Sequence, residues 1–260
     1  MKTALVTGAS SGIGETFARQ LARKKTNLIL VARSQDKLEQ LATELCNQYQ
    51  IKTTVVTQDL SQNSAGQAVF DQVQAQDLSV DLLINNAGFG DYGAFCDRPL
   101  SKQMTMIHLN IAAVVELTGL FLPLMHKKGS GEIINVASIA SFQPIPYMSV
   151  YAATKAFILS FSEALWAENK DKGVKVLVSC PGPTESQFYN QADFPDSATG
   201  LNGMTMTSTD QVVTETLSAL EQGQSTVVPG GFVNQVIVNL PRLVPRDLLL
   251  SAVGKQFKNI

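Results

Sequence analysis

Cysteine and histidine are scarce in this sequence, and their placement argues against two common kinds of site. The three cysteines, Cys46, Cys96 and Cys180, are odd in number and widely separated, which fits neither a disulfide framework nor the spacing of a zinc site. His108 and His126 have no cysteine or carboxylate at ligand spacing. The sequence therefore predicts reduced structural thiols, as expected of a cytoplasmic protein, and no metal site.

Charged residues are also few in this sequence. Charged residues make up 16% of the 260 residues, and 20 Lys plus Arg against 22 Asp plus Glu leave a formal net charge of −2. Without a basic excess the chain has no field to hold a polyphosphate backbone, so we expect no nucleic-acid partner. Hydrophobic residues account for 45% of the chain, enough for a large core, and this composition excludes disorder.

Signals for export or for a membrane span are weak. The first apolar run ends at Thr7, far short of a signal-peptide core. The longest apolar stretch, 104–125, contains Asn110, Glu116 and Pro123, which are costly at a bilayer centre, so we interpret it as a buried helix. These features predict a cytoplasmic location without membrane association.

Short apolar runs rich in β-branched residues recur along the chain and alternate with helical patterns. Continuous apolar character indicates strands covered on both faces, as parallel strands are. Strand alternating with helix predicts an α/β protein with a doubly wound sheet. The predicted strands are residues 4–6, 28–31, 53–56, 82–84, 133–136, 174–178 and 226–228. No linker or repeat divides the chain, so we predict a single domain over 1–260.

A glycine-rich turn follows the first predicted strand directly. It reads Thr7-Gly8-Ala9-Ser10-Ser11-Gly12-Ile13-Gly14, and a helix is expected from about Glu15 to Lys25. Glycines at a strand-to-helix turn let the backbone approach a pyrophosphate at the positive helix terminus. The alternative is a tight turn with no ligand.

Four further motifs occur later in the chain. They are Asn85-Asn86-Ala87-Gly88, Ser138, Tyr151 with Lys155 four residues on, and Pro181-Gly182. Together with the glycine turn they resemble the short-chain dehydrogenase/reductase family in its form of ~250 residues. The resemblance implies a Rossmann-type domain with a seven-stranded sheet, nicotinamide-dependent oxidoreductase activity, a Ser-Tyr-Lys-Asn active site, and a homodimer or homotetramer.

Tyr151 and Lys155 suit carbonyl chemistry on their own terms. Reduction of a ketone needs an acid for the developing alkoxide, and a phenol serves if its pKa of about 10 is lowered. Lys155 lies four residues after Tyr151, on the same helix face, where its ammonium favours the phenolate. We therefore expect Tyr151 to be the catalytic acid/base and Lys155 to lower its pKa.

Ser138 and Asn110 complete the predicted catalytic set. By resemblance Ser138 holds the substrate oxygen, and Asn110 helps hold a water that relays protons to Lys155. The alternatives are a serine turn after a strand for Ser138 and a core amide that satisfies backbone groups for Asn110.

The resemblance also implies a set of cofactor contacts. Asp59 and Leu60 correspond to the adenine-contacting pair, although Asp59 could instead cap a helix. Asn85 or Asn86 is expected to brace neighbouring strands. The predicted cofactor-binding residues are Gly8, Ser10, Ser11, Gly12, Ile13, Gly14, Arg33, Asp59, Leu60, Asn86, Ala87, Gly88, Tyr151, Lys155, Pro181, Gly182 and Thr184.

The end of the second strand predicts NADP(H) rather than NAD(H). NAD-selective sites carry an acidic residue there that repels a 2′-phosphate. This chain has Ala32 followed by Arg33, a planar donor suited to phosphate, with Ser10 and Ser34 as further donors. A competing possibility is that Asp36 pairs with Arg33.

The substrate is predicted less sharply. Aromatic and apolar residues near the expected site favour an apolar carbonyl or alcohol over a sugar: Phe89, Tyr92, Phe95, Pro144, Ile145, Pro146, Tyr147, Phe188 and Tyr189. We expect a mobile lid over 187–209. The extension over 230–260 is expected to pack beside the substrate mouth or at a subunit contact, with reversible membrane-surface attachment as the alternative. The competing function is a non-catalytic NADP(H)-binding redox sensor or scaffold.

Overall fold

A single parallel sheet of seven strands organises the chain. The computed structural model describes residues 1–195 and 206–258. The strand order is β3-β2-β1-β4-β5-β6-β7, the arrangement of a doubly wound Rossmann-type sheet, so the predicted fold class is confirmed. The strands are β1 (Thr3–Thr7), β2 (Asn27–Ala32), β3 (Thr53–Thr57), β4 (Leu82–Asn85), β5 (Gly131–Val136), β6 (Val174–Ser179) and β7 (Thr226–Val227).

Helices cover both faces of this sheet because its inner strands are apolar on both sides. One core cluster joins Phe17 of the first helix to Leu45 of the second, and another joins Phe121 to Val69 on the opposite face. The helices are α1 (Gly12–Arg23), α2 (Gln35–Tyr49), α3 (Ala65–Gln74), α4 (Leu100–Ile107), α5 (Ala113–Lys128), α6 (Ser149–Asn169), α7 (Phe188–Gln191), α8 (Thr209–Glu221), α9 (Phe232–Asn239) and α10 (Arg246–Lys258).

The strand order reverses between β1 and β4. The chain winds outward through β2 and β3, then crosses back to place β4 on the other side of β1. In such sheets the loops at the carboxyl ends of the two central strands separate and leave a crevice. The glycine turn, Asn86, Ser138 and Pro181 each follow a strand, so the topology brings them to this one edge.

The apolar stretch at 104–125 differs in part from its prediction. It belongs to a helical run over Leu100–Lys128 that has the length and composition of a membrane span, with a mean hydropathy of 1.7. Only one face is buried, including Leu117 and Phe121, while Val115 and Leu124 are exposed. Glu116 accepts a hydrogen bond from the backbone N–H of Gly66, which ties this helix to α3. The run is therefore a core-facing amphipathic helix rather than a fully buried one.

Two local expectations need correction. α1 begins at Gly12 rather than at about Glu15, so the helix starts inside the glycine-rich turn. The second concerns the cysteines, which were predicted to be structural thiols. Cys180 is buried and fits that prediction, whereas Cys96 is exposed and does not.

The C-terminal extension forms α9 and α10. Leu249, Val253 and Phe257 of α10 pack into an apolar cluster that contains Tyr151, so the predicted packing beside the site is what the structure has. Of the predicted lid over 187–209, the structure describes 187–195 and 206–209; residues 196–205 lie outside the described residues.

Candidate active site

The glycine turn between β1 and α1 is shaped for close approach by a ligand. Gly8 and Gly12 adopt φ values of +65° and +56°, a region that side chains disfavour. A Cβ on Gly8 would lie 2.9 Å from the amide nitrogen of Asn86. Ser11, at the start of α1, forms no side-chain hydrogen bond to the helix. The first N–H groups of α1 are therefore available to a phosphate group.

Thr7 and the two asparagines fasten this turn to the loop after β4. Thr7 Oγ1 donates to the carbonyl of Ile84 and accepts from the N–H groups of Asn86 and Ala87. Asn86 donates to the carbonyl of Thr7. Asn85 donates instead to Asn135 of β5 and to Thr118. Both asparagines therefore brace neighbouring strands. The sequence had left open which of the two would do so.

The loop after β2 and the first turn of α2 present two cations to the same cleft. Arg33 and Lys37 are exposed, and both line the cleft beside Ser10, Ser34 and Ala32. Neither cation takes part in a salt bridge within residues 1–195 and 206–258, so pairing with Asp36 is not observed there. Sequence reasoning missed Lys37, although its spacing of four residues from Arg33 was a usable signal.

Asp59 and Leu60 line the cleft next to these cations. Asp59 also accepts hydrogen bonds from the backbone N–H and the hydroxyl of Ser61, at 3.0 and 2.7 Å. Burial acts to raise the pKa of Asp59, but these hydrogen bonds and one from Gln62 outweigh it and lower the pKa. Asp59 therefore stabilises the turn that contains Ser61 rather than capping α3, whose N-cap is Ser64, and its carboxylate is ionised at the cleft wall.

Tyr151, Lys155 and Ser138 meet at the other end of the cleft. Tyr151 and Lys155 share one face of α6, with the Lys155 Nζ atom 5.9 Å from the centre of the Tyr151 ring. Lys155 donates to the carbonyl of Val136 at 2.9 Å. Ser138, directly after β5, accepts from the N–H of Ala140 at 3.1 Å, which leaves the proton of its hydroxyl free to donate.

The protonation of this group differs from the sequence expectation. Burial raises the pKa of Tyr151 to about 12, and a hydrogen bond with Ser138 acts in the opposite direction. Burial lowers the pKa of Lys155 to about 8. The expected lowering of the Tyr151 pKa is thus not found in this structure, because burial outweighs the hydrogen bond with Ser138.

Asn110 lies behind the cleft rather than in it. It occupies a π-helical turn, His108–Ala112, between α4 and α5. Its side chain pairs with both backbone groups of Phe89, at 3.0 and 3.1 Å, and donates to Thr154. A Cβ on Gly88 would lie 2.9 Å from Asn110 Oδ1 and 3.5 Å from Lys155 Nζ. Asn110 therefore positions the loop that faces Lys155, as the backbone-satisfying alternative expects, while the proton relay stays a prediction.

The loop after β6 closes the cleft on a third side. Pro181, Gly182, Thr184 and Ser186 line it. Thr184 donates to the carbonyl of Gly182 at 2.9 Å and is buried. A Cβ on Gly182 would lie 2.6 Å from Asn234 of α9, so the C-terminal extension supports this loop from behind.

Apolar side chains wall the cleft beyond Tyr151. The rings of Phe188 and Tyr151 lie 5.3 Å apart, and Phe188 stands edge-on to Tyr189. Other apolar side chains that line the cleft are Phe89, Ile145, Met148, Phe194, Ile237 and Phe257. Phe95, expected in this surface, is 58% exposed and does not line the cleft. Four other residues expected there do not line it either: Tyr92, Pro144, Pro146 and Tyr147. The cleft measures about 700 Å³, within the usual range for small-molecule sites.

An ion cluster fixes α7 over this wall. The side chain of Asp91 is fully buried and pairs with Arg98 and Lys102. Both cations also pair with Asp193, just after α7, and Gln103 donates to Asp91. The carboxylates hold the pKa of Arg98 well above its usual range. Nothing in the sequence spacing indicated this cluster, since Asp91 and Asp193 are distant in the chain.

The predicted site residues converge with one exception beyond Asn110. Gly14 does not line the cleft: a Cβ there would lie 2.2 Å from the carbonyl oxygen of Gly8. Its smallness serves the packing of α1 against the turn, and its assignment as a cofactor contact stays a prediction. The other predicted residues line one continuous surface, from Arg33 at one end to Tyr151 at the other.

Comparison with known proteins assigns the chain to a family. A family model described as short chain dehydrogenase matches residues 2–195. A very-long-chain 3-oxoacyl-CoA reductase from Anas platyrhynchos is 32% identical over 98% of this chain and 80% of the relative. The ketoacyl reductase HetN from Nostoc sp. is 36% identical over 78% of this chain and 70% of its own length.

Solved structures agree with these relatives. A short-chain dehydrogenase from Sphingobium yanoikuyae in complex with NADPH superposes with a TM-score of 0.84, at 30% identity and 96% coverage of both chains. The predicted cofactor agrees with the one held by that neighbour. The sheet, the cleft and the sequence relatives lead to one assignment: this chain belongs to the short-chain dehydrogenase family of oxidoreductases.

Proposed function

We propose that the protein reduces an apolar ketone, of the 3-oxoacyl thioester class, with NADPH as the electron donor. The observation that carries the proposal is the layout of the cleft. Two cations and the glycine turn lie at one end, Tyr151, Ser138 and Lys155 lie at the other, and an apolar wall continues beyond them. The relatives named as 3-oxoacyl and ketoacyl reductases support the substrate class.

The residues of the cleft fit a dinucleotide. Gly8 and Gly12 line the cleft without side chains, the start of α1 offers N–H groups, and Arg33 with Lys37 suits a 2′-phosphate. Pro181, Gly182 and Thr184 would hold the nicotinamide end. When bound, the reduced nicotinamide supplies the hydride that the carbonyl carbon accepts.

The side chains of Ser138, Tyr151 and Lys155 act on the substrate oxygen. Ser138, whose hydroxyl proton is not used in its contact with Ala140, donates that proton to the substrate oxygen, which polarises the carbonyl. Tyr151, which remains protonated because burial raises its pKa to about 12, gives its proton to the developing alkoxide. Lys155, held by Val136, places a positive charge beside the phenolate that forms. Phe188 and Tyr189 exclude water from the same region.

The test is turnover of a substrate panel, followed as loss of NADPH absorbance. The panel compares short-chain and long-chain 3-oxoacyl thioesters with a polar ketose sugar. We expect kcat/KM to rise with acyl chain length and the sugar to be inert. Tyr151→Phe serves as the inactive control. Binding of NADPH without turnover of any ketone or alcohol would favour the non-catalytic alternative and contradict the proposal.

A further inference from the structure

The C-terminal extension exposes an apolar face that the rest of the described chain leaves uncovered. Leu243 is 83% exposed and Phe232 is 81% exposed. We use the term tail face for these two residues together with the other exposed apolar residues of the extension, Val233, Val236, Leu240 and Leu248. So much apolar surface in one short segment is unusual for a surface that meets only water.

The exposure does not come from loose attachment. Asn234 and Val238, on the opposite side of α9, are buried. Asn234 donates to the carbonyl of Pro229, and Gln235 donates to the carbonyl of Val228. The helix α9 therefore packs against the protein through Asn234 and Val238, while its large apolar side chains point outward.

Charge around the tail face points to the chemistry of its partner. Residues 222–246 contain no Asp or Glu, although the whole chain has a net charge of −2. The only charged residues in that span are Arg242 and Arg246, both exposed and both next in sequence to apolar residues or proline. Exposed Asp247 follows Arg246, so the segment up to Leu248 carries a net charge of +1. Exposed apolar residues mixed with arginine suit the interface of an anionic bilayer, where the apolar groups insert and the cations meet phosphate groups.

The tail face lies beside the cleft, so contact with a bilayer there would bear on substrate entry. Ile237, next to Val236 on α9, lines the cleft, as do Gln256 and Phe257 of α10. A bilayer at the tail face would therefore lie near the cleft mouth, where an acyl substrate enters. This effect on substrate entry rests on the proposed function, but the surface contact itself does not.

We propose that the tail face docks the protein reversibly on an anionic lipid surface. The test is co-sedimentation of the full chain with vesicles of equal parts phosphatidylcholine and phosphatidylserine, in the absence of cofactor and substrate. The wild type is expected to bind these vesicles, and binding is expected to weaken with added salt and with phosphatidylcholine alone.

Three variants assign the contact to named residues. Phe232→Ser/Val236→Ser/Leu243→Ser is expected to weaken vesicle binding by at least about ten-fold, because apolar insertion is lost. Arg242→Ala/Arg246→Ala is expected to weaken it by roughly five-fold per arginine. Val115→Ser/Leu124→Ser, which removes exposed apolar residues from α5 instead, is the matched control and is expected to bind like the wild type.

Two results would overturn the proposal. One is failure of the wild type to sediment with the anionic vesicles, or sedimentation of the tail-face and arginine variants to the same extent as the wild type. The other is a triple tail-face variant that lowers the molar mass measured by light scattering, which would make the face a contact between copies of this chain. The arginine variant, at exposed positions, keeps the test decisive if the triple variant fails to fold. Because no substrate is present, failure here is distinct from failure of the proposed reaction.

Discussion

Removal of Arg33, just after β2, and Lys37, in the first turn of α2, is expected to abolish the preference for NADPH. Arg33 and Lys37 line the cleft at the same end, where Ala32 provides no acidic competitor. A charge-assisted hydrogen bond contributes about 1.5 to 3 kcal/mol. Because both side chains are exposed, the lower figure applies to each, which is about ten-fold in affinity. Arg33→Ala/Lys37→Ala should therefore bind NADPH about 100-fold more weakly.

The assay is KM for NADPH and for NADH with one ketone substrate at fixed ionic strength. KM for NADH should change little, since it has no 2′-phosphate for the cations to meet. Lys52→Ala, which removes an exposed lysine outside the cleft, is the matched control and should leave both values unchanged. A double variant that keeps the wild-type preference for NADPH, or a wild type that prefers NADH, would refute this account of the loop.

Three further outcomes follow from the site. Tyr151→Phe should lose at least about a hundred-fold in kcat, the usual contribution of a general acid, while its NADPH-induced thermal shift persists; wild-type kcat would exclude Tyr151 as the acid. Burial lowers the pKa of Lys155 to about 8, so its ammonium is present below that pH and lost above it. The kcat of ketone reduction should therefore fall as pH rises through about 8, and a flat profile from pH 7 to about 10 would contradict this role. Asp91→Asn should lower the free energy of unfolding by about 2 to 3 kcal/mol, because it leaves two partly buried cations short of a partner. Asp193→Asn, at the exposed end of the same cluster, should cost less than about 1 kcal/mol, and equal losses would argue against a buried anchor at Asp91.

Local sequence signals predicted the sheet well because its strands are buried on both faces. Each of the seven predicted strands overlaps an observed one, and the bounds differ by at most two residues. Continuous apolar runs bounded by glycine or polar residues are a strong signal for such strands. The same alternation of strands and helices implies the crossover topology, and with it the single edge where the motifs meet.

Features that depend on contacts between distant segments were not predictable in this way. The π-helical turn at His108–Ala112 has no local sequence signature, yet it directs Asn110 toward Phe89. Gly14 looks like its neighbours in the motif, and only the fold shows that it faces Gly8 rather than the cleft. The raised pKa of Tyr151 likewise depends on burial, which includes the ring of Phe188 from a segment far along the chain.

The cleft is lined by the loops after six of the seven strands, β1 to β6, and so spans both halves of the sheet. A ligand that fills it touches loops from either side of the crossover, and each loop keeps its shape only while its strand is paired. Occupancy should therefore stabilise the sheet as a unit rather than one loop at a time. A ligand present at 100 times its dissociation constant adds about 2.7 kcal/mol to the free energy of unfolding. That gain should appear as slower hydrogen exchange in strands as far apart as β3 and β6, neither of which the ligand needs to touch along its length.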